Sequence, residues 1–204
     1  MSAFLGPIHY WLYNKIRFQE DLSDSILEAA KAKGWDESGK LQENYTICEL
    51  KPLEELIDLA DIHGWLQRRI QEAETRYAYL VTDILRRDPS RIKELEKIAF
   101  EFGCRNTVEE SDMASDVYRK FDDVLLNGMP CDRVNIVTSQ DSDCYTWEQA
   151  EDIHGVYWTQ AGGKPANYYR LRLKVMEGML KNSKINIMAS YFNHYQLSRN
   201  NQFD

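Results

Sequence analysis

No two cysteines in this chain have the Cys-x-x-Cys spacing of a zinc ribbon or a redox motif. Cys48, Cys104, Cys131 and Cys144 are scattered singly through 204 residues. That distribution suits neither a metal ribbon nor a disulfide scaffold, and the four read as free thiols of a reducing compartment. Long apolar runs are missing too, since none approaches the roughly 18 residues that a bilayer-spanning helix needs. The N-terminus has no basic stretch, apolar core and small-residue cleavage site in succession, so the expected location is the cytoplasm and no membrane is expected as a partner. Positive charge is in deficit, with 25 Lys and Arg against 33 Asp and Glu and a net charge of −8. Nucleic-acid affinity comes largely from clustered basic side chains that release counterions, so nucleic acid is not an expected partner either.

Several chemical templates are absent. There is no His-Glu-x-x-His, no Gly-x-x-x-x-Gly-Lys-Ser/Thr phosphate loop, no Gly-x-Gly-x-x-Gly and no Gly-x-Ser-x-Gly. The common zinc-protease, nucleotide-dependent and hydrolase readings go with them, though not every enzyme, and the identity of any cofactor stays open.

What is present is ample apolar and aromatic matter, 43% and 12% of residues, enough for a packed core without staples. Pro7 suits a first helical turn, and Ile8, Trp11, Leu12, Ile16, Leu22, Ile26, Leu27 and Ala30 recur at helical spacing up to Gly34. Residues 35–52 read as a connection with at most a short strand at Tyr45 to Cys48. A second long helix is expected from near Leu53 to about Arg87, on the stripe Leu56, Ile57, Ala60, His63, Ile70, Ala73, Tyr77, Leu80, Val81 and Ile84. Asp88-Pro89 caps a third helix through Phe100, closed by Gly103, and Thr107 with Glu110 forms a capping box for a fourth that ends at Gly128.

After Pro130 the period changes to two. Arg133 to Thr138 and Asp143 to Glu148 form a predicted hairpin around Ser139-Gln140-Asp141-Ser142, with Tyr145 and Trp147 sharing a face. Gly162-Gly163 reads as a flexible joint, and Pro165 opens a further helix. Ile185 to Leu197 fits either period; a strand for its first half would give the hairpin a third partner. The expected class is α+β and predominantly helical: a four-helix bundle-like region over residues 1–128, then over 129–204 a small antiparallel sheet with one packed helix, the two forming one compact unit.

The chemical lead is histidine. Asp61-Ile62-His63-Gly64 recurs as Asp152-Ile153-His154-Gly155, and His9 sits in Pro7-Ile8-His9-Tyr10-Trp11. An imidazole in apolar surroundings suits proton transfer or metal ligation. A histidine on an apolar stripe is more often a core residue donating one N–H to a carbonyl or carboxylate, and Asp61 and Asp152 stand two positions earlier as partners.

Three readings follow. In the first, a small molecule is bound, or turned over, in an aromatic pocket of Tyr145, Trp147, Tyr157, Trp158 and Tyr169 around His154, although aromatics at this density are more often a second core beneath the hairpin. Cys131 and His154 are the candidate reactive groups, although Asp132 beside Cys131 disfavours a thiolate. Replacing His154 is then expected to alter ligand binding far more than melting temperature. In the second, the helical half presents Trp11, Tyr13, Phe18 and Trp65 to a protein partner or a second copy, as a homodimer. In the third, His9, His63 and His154 with Glu20, Asp61 or Glu151 hold a metal ion. An antiparallel first helix pair would separate His9 from His63 by roughly 20 Å, so shared ligation needs the connection to run back along the helix and make the pair parallel. A ferritin-like site is disfavoured, because Glu151 with His154 is the sole Glu-x-x-His pair.

Overall fold

The computed structural model describes residues 4–46, 51–110, 113–141, 143–190 and 193–199. It is an α+β protein, predominantly helical, with one four-stranded antiparallel sheet. Helix α1 (Pro7–Ala32) has Pro7 in its first turn, as the sequence implies. The connection after it carries no strand at Tyr45; it contains two short helices, α2 (Lys40–Tyr45) and α3 (Leu53–Leu56), and Cys48 lies outside the described residues.

The expected second helix is interrupted. Between α3 and α4 (Ile62–Arg87), the Asp58 side chain accepts the Ala60 N–H at 2.9 Å and Asp61 accepts the Gly64 N–H at 3.1 Å. Short acidic side chains bonding their own backbone compete with a helix and restart it, which periodicity does not register. Three cross-contacts rise together along α1 and α4: His9 to His63, Tyr13 to Trp65 and Glu20 to Arg76. The two long helices are therefore parallel, and the residues between them form the crossover.

Asp88 caps as expected, accepting the Ser90 N–H at 2.9 Å, and a 3₁₀ turn at Pro89–Arg91 leads into α5 (Ile92–Cys104). Gly103 is not a stop. A Cβ on it would lie 2.1 Å from the Val175 carbonyl oxygen, and one on Gly178 would lie 2.1 Å from that of Phe100, so α5 and α8 (Pro165–Met179) touch backbone to backbone. The helix expected at Thr107 begins later, as α6 (Ala114–Val124). Its displaced start has a tertiary cause: the Val108 N–H is taken by the Met179 carbonyl at 3.0 Å, which pins the chain to the end of α8 in place of a helical turn.

Strands β1 (Asn135–Gln140) and β2 (Cys144–Gln149) form the expected hairpin, with a register shift between Val137 and Ser139. Its turn is tighter than expected, because Ser139 and Gln140 belong to β1 and Asp141 accepts the N–H groups of Asp143 and Cys144; Ser142 lies outside the described residues. A short helix, α7 (Gly155–Gln160), precedes α8. The tail is strand in both halves, β3 (Ile185–Ser190) and β4 (His194–Arg199), in the order β1-β2-β4-β3; Tyr191 and Phe192 lie outside the described residues.

One core joins the helices to the sheet: Ile26, Tyr77, Leu95, Phe102, Phe121, Trp147, Trp158, Leu171, Tyr195 and Leu197 are all buried in it. A second, smaller core fills the N-terminal ends of α1 and α4 with Leu12, Tyr13, Ile16, Leu53, Trp65 and Leu66. Among the described residues no helix is long and apolar enough to cross a membrane.

Candidate functional site

His154 is positioned by local bonds and then used by distant ones. Asp152 Oδ1 accepts the N–H groups of His154 at 3.1 Å and Gly155 at 2.7 Å, and the Tyr169 hydroxyl donates to the same oxygen. This acidic turn opens α7 and drives the imidazole inward, where 1% of the residue is exposed. There its Nδ1 lies 2.9 Å from Glu74 Oε1 on α4, and its Nε2 lies 3.1 Å from the Tyr168 hydroxyl on α8. One turn along α8, buried Arg172 gives Nη1 to the Tyr168 oxygen at 2.8 Å and to the Leu126 carbonyl at 3.1 Å, and Nη2 to Asn127 Oδ1 at 2.7 Å.

The direction of these bonds follows from the groups themselves. A guanidinium only donates, so the Tyr168 oxygen accepts from Arg172, and around a neutral imidazole its own proton goes to His154 Nε2. The remaining imidazole proton sits on Nδ1 and is given to Glu74. A single donor chain thus runs Arg172 to Tyr168 to His154 to Glu74, with a cation at one end and a carboxylate at the other. Burial pushes the Tyr168 and Tyr77 hydroxyls far above the usual phenol range, so both keep their protons. The chain ends unevenly, for Glu74 Oε2 is buried without a hydrogen-bond partner among the described residues.

Beside that carboxylate lies a cavity of about 240 Å³ whose lining includes Gln67, Ile70, Glu74, Ile153, His154 and Tyr157. Of the predicted aromatic lining, Tyr157 and His154 are brought here. Trp158 is fully buried edge-on against Tyr77 and Tyr168, and Tyr169 is held by Asp152. Tyr145 and Trp147 sit on the inner face of the sheet, where Tyr145 stacks on Tyr118 at 4.3 Å and Trp147 on Tyr195 at 5.1 Å. Those two pairs belong to the main core.

Cys131 is exposed, with its thiol 3.7 Å from Asp132 Oδ1, while both nitrogens of His154 are already taken. The metal candidates divide likewise. The parallel helices bring the His9 and His63 rings within 5.7 Å, and His9 Nδ1 accepts the Gly6 N–H at 2.9 Å. His154 is elsewhere, on Glu74, eleven residues or about 16 Å further along α4 from His63. Glu20 is engaged by Arg76, Asp61 caps α4 and pairs with Arg68 at 3.2 Å, and Glu151 is exposed. Among the described residues no group of three or more His, Cys, Asp or Glu is placed to hold a metal. The four aromatics considered for docking are half-buried (Trp11, Phe18) or buried (Tyr13, Trp65) within the chain's own fold.

Glu74 and Arg172 carry the arrangement, and sequence reasoning passed over both. Each had a signal: Glu74 falls among Ile70, Ala73 and Tyr77, and Arg172 among Tyr168, Leu171 and Val175, so each puts a charge on an apolar stripe. Lys15, between Leu12, Ile16 and Gln19, breaks its stripe in the same way. The comparisons add no precedent, since the chain matches no known family, no protein of described function and no solved structure.

Proposed function

We propose that this protein binds a small molecule in the cavity over Glu74 and His154, and that the ligand is a cation or a strong hydrogen-bond donor such as an amine or amidine. The observation that carries this reading is the buried, unpartnered Oε2 of Glu74 beside that cavity. A buried acceptor without a donor costs about 1–3 kcal/mol, which a ligand N–H recovers. The cavity of about 240 Å³ lies just under the roughly 300 Å³ where drug-sized pockets begin, so it suits a compact ligand. His154 would set the carboxylate's orientation from one side while Ile70, Ile153 and the Tyr157 ring supply apolar wall.

Thermal-shift measurement with methylamine, putrescine and benzamidine tests it. A ligand present at about 100 times its Kd stabilises the folded state by about 2.7 kcal/mol, a readily measured rise in Tm. We expect at least one of these to stabilise the native protein and to fail with Glu74→Gln, which keeps the side-chain shape and removes the charge. No stabilisation of the native protein by any of the three at millimolar concentration would refute the reading.

A further inference from the structure

A second cavity of about 240 Å³ lies where α1 meets α6 and the loop before β1, and its lining includes Trp11, Lys15, Tyr118, Asp122, Arg133 and Asn135. Lys15 is 3% exposed. Its three N–H groups are poorly served: Asp122 Oδ1 stands at a long 3.5 Å, and the Trp11 ring lies under the amine at 3.7 Å. Asn135 lines the same cavity, and its Oδ1 is buried without a partner among the described residues. Arg133, at the rim, holds a left-handed backbone with φ of +48°, the single non-glycine residue to do so among those described. Such conformations collect at binding sites.

We propose that this cavity is a carbonyl-binding site in which Lys15 forms an imine with a small hydroxyaldehyde or hydroxyketone. The Nζ lone pair attacks the carbonyl carbon to give a carbinolamine, and loss of the former carbonyl oxygen as water leaves the C=N bond. Asp122 relays both amine protons to the former carbonyl oxygen in turn, the first to the alkoxide formed by the attack and the second to the hydroxyl as it departs. A hydroxyl on the neighbouring carbon of the ligand donates to Asn135 Oδ1. No oxidant or further reactant is required.

The protonation balance supports the geometry. Burial lowers the Lys15 amine to about 8, Arg172 acting in the same direction and Asp122 and Asp123 opposing it. At pH 7 that leaves about two hundred-fold more neutral amine than on an ordinary lysine. The neutral form is the nucleophile.

Reductive trapping reads every lysine in one sample. The intact protein is treated at pH 7 with limiting glycolaldehyde and cyanoborohydride, and the modified peptides are quantified by mass spectrometry. Lys15 is expected to be labelled at least about tenfold faster than exposed lysines such as Lys40 and Lys97, with a rate that levels off above about pH 8 while theirs keeps rising. Glycolaldehyde should outcompete acetaldehyde at Lys15 and not at the exposed lysines. Labelling that simply follows exposure, with Lys15 slowest, would overturn the proposal; equal use of the two aldehydes at Lys15 would overturn the role of Asn135. Lys15→Met serves as the control for peptide assignment, and the native protein decides the question whether or not that variant folds.

Discussion

The tetrapeptide ending at Gly64 and the one ending at Gly155 each carry an aspartate whose carboxylate accepts the glycine N–H, at 3.1 Å and 2.7 Å. In each, a Cβ on the glycine would lie 2.1–2.2 Å from an aspartate oxygen, so glycine is what lets the carboxylate fold over the helix start. Both aspartates are exposed; Asp61 is the N-cap of α4, whereas α7 starts at Gly155, whose N–H Asp152 holds from three residues before. The histidines then part company. His63 is exposed, with His9 as its ring neighbour, whereas His154 is buried between Glu74 and Tyr168. Asp-Ile-His-Gly is thus a helix-opening device in both places. The role of its histidine is set by what the rest of the fold brings to that position: solvent near the start of α1 in one case, α4 and α8 in the other.

The most direct way to break the equivalence is to delete the imidazole at both sites. His154→Ala strips the donor from a buried carboxylate, leaves the Tyr168 proton without its acceptor and opens a void, and the expected loss is about 3–5 kcal/mol. His63→Ala removes an exposed ring and should stay within about 0.5 kcal/mol of the native protein. Urea denaturation of the two variants measures the contrast. Equal effects would mean that the buried chain from Arg172 to Glu74 contributes nothing to folding. Stability loss at His154 is therefore no guide to ligand binding, and Glu74→Gln is the cleaner probe of the cavity.

The long helices, the hairpin and the helix at Pro165 were legible because each repeats one period over several turns or is bounded by proline. The interruption at 57–61 was not, since Asp58 and Asp61 act through side-chain bonds that leave the apolar stripe intact. Thr107 misled for the opposite reason: a sound local capping pattern loses to the bond between Val108 and Met179, which connects residues 71 positions apart. At the site, His154 stood out in the sequence, but its partners are residues 74 and 168, with 172 behind 168, and no local pattern links those to 154. The aromatic crowd is mostly core, the more frequent fate of such a cluster. A charge on an apolar stripe, as at Lys15, Glu74 and Arg172, was the more informative signal.

Removing the aspartates sharpens the comparison at an intermediate scale. Asp61→Ala loses one cap bond and an exposed pair with Arg68, so about 1 kcal/mol is expected. Asp152→Ala loses two backbone bonds and the acceptor for the Tyr169 hydroxyl, which is 8% exposed as a residue, and should cost about 2 kcal/mol. Near-ultraviolet circular dichroism should register the second and not the first, because Tyr169 packs edge-on against Tyr168 at 5.2 Å. An Asp61 variant less stable than the Asp152 variant would show that the cap of the long helix outweighs the anchoring of His154.

The glycines should give the smallest effect and the closest match. Alanine at either position forces the aspartate carboxylate to swing away, because the new Cβ would meet its oxygen 2.1 Å off at Gly64 and 2.2 Å off at Gly155. Losing the cap costs about 1 kcal/mol, and replacing glycine by alanine in a helical turn returns up to about 1 kcal/mol. Both variants should therefore fall within about 1 kcal/mol of the native protein and within about 0.5 kcal/mol of each other, since the balance in each is local. At both glycines the nearest atoms to such a Cβ belong to the same aspartate, which leaves little for the different surroundings of α4 and α7 to add. Chemical denaturation of Gly64→Ala and Gly155→Ala makes the comparison. A Gly155→Ala protein that lost several kcal/mol while Gly64→Ala lost none would show that the second tetrapeptide holds His154 through its backbone as well as through Asp152, and the shared local role argued for the two motifs would fail.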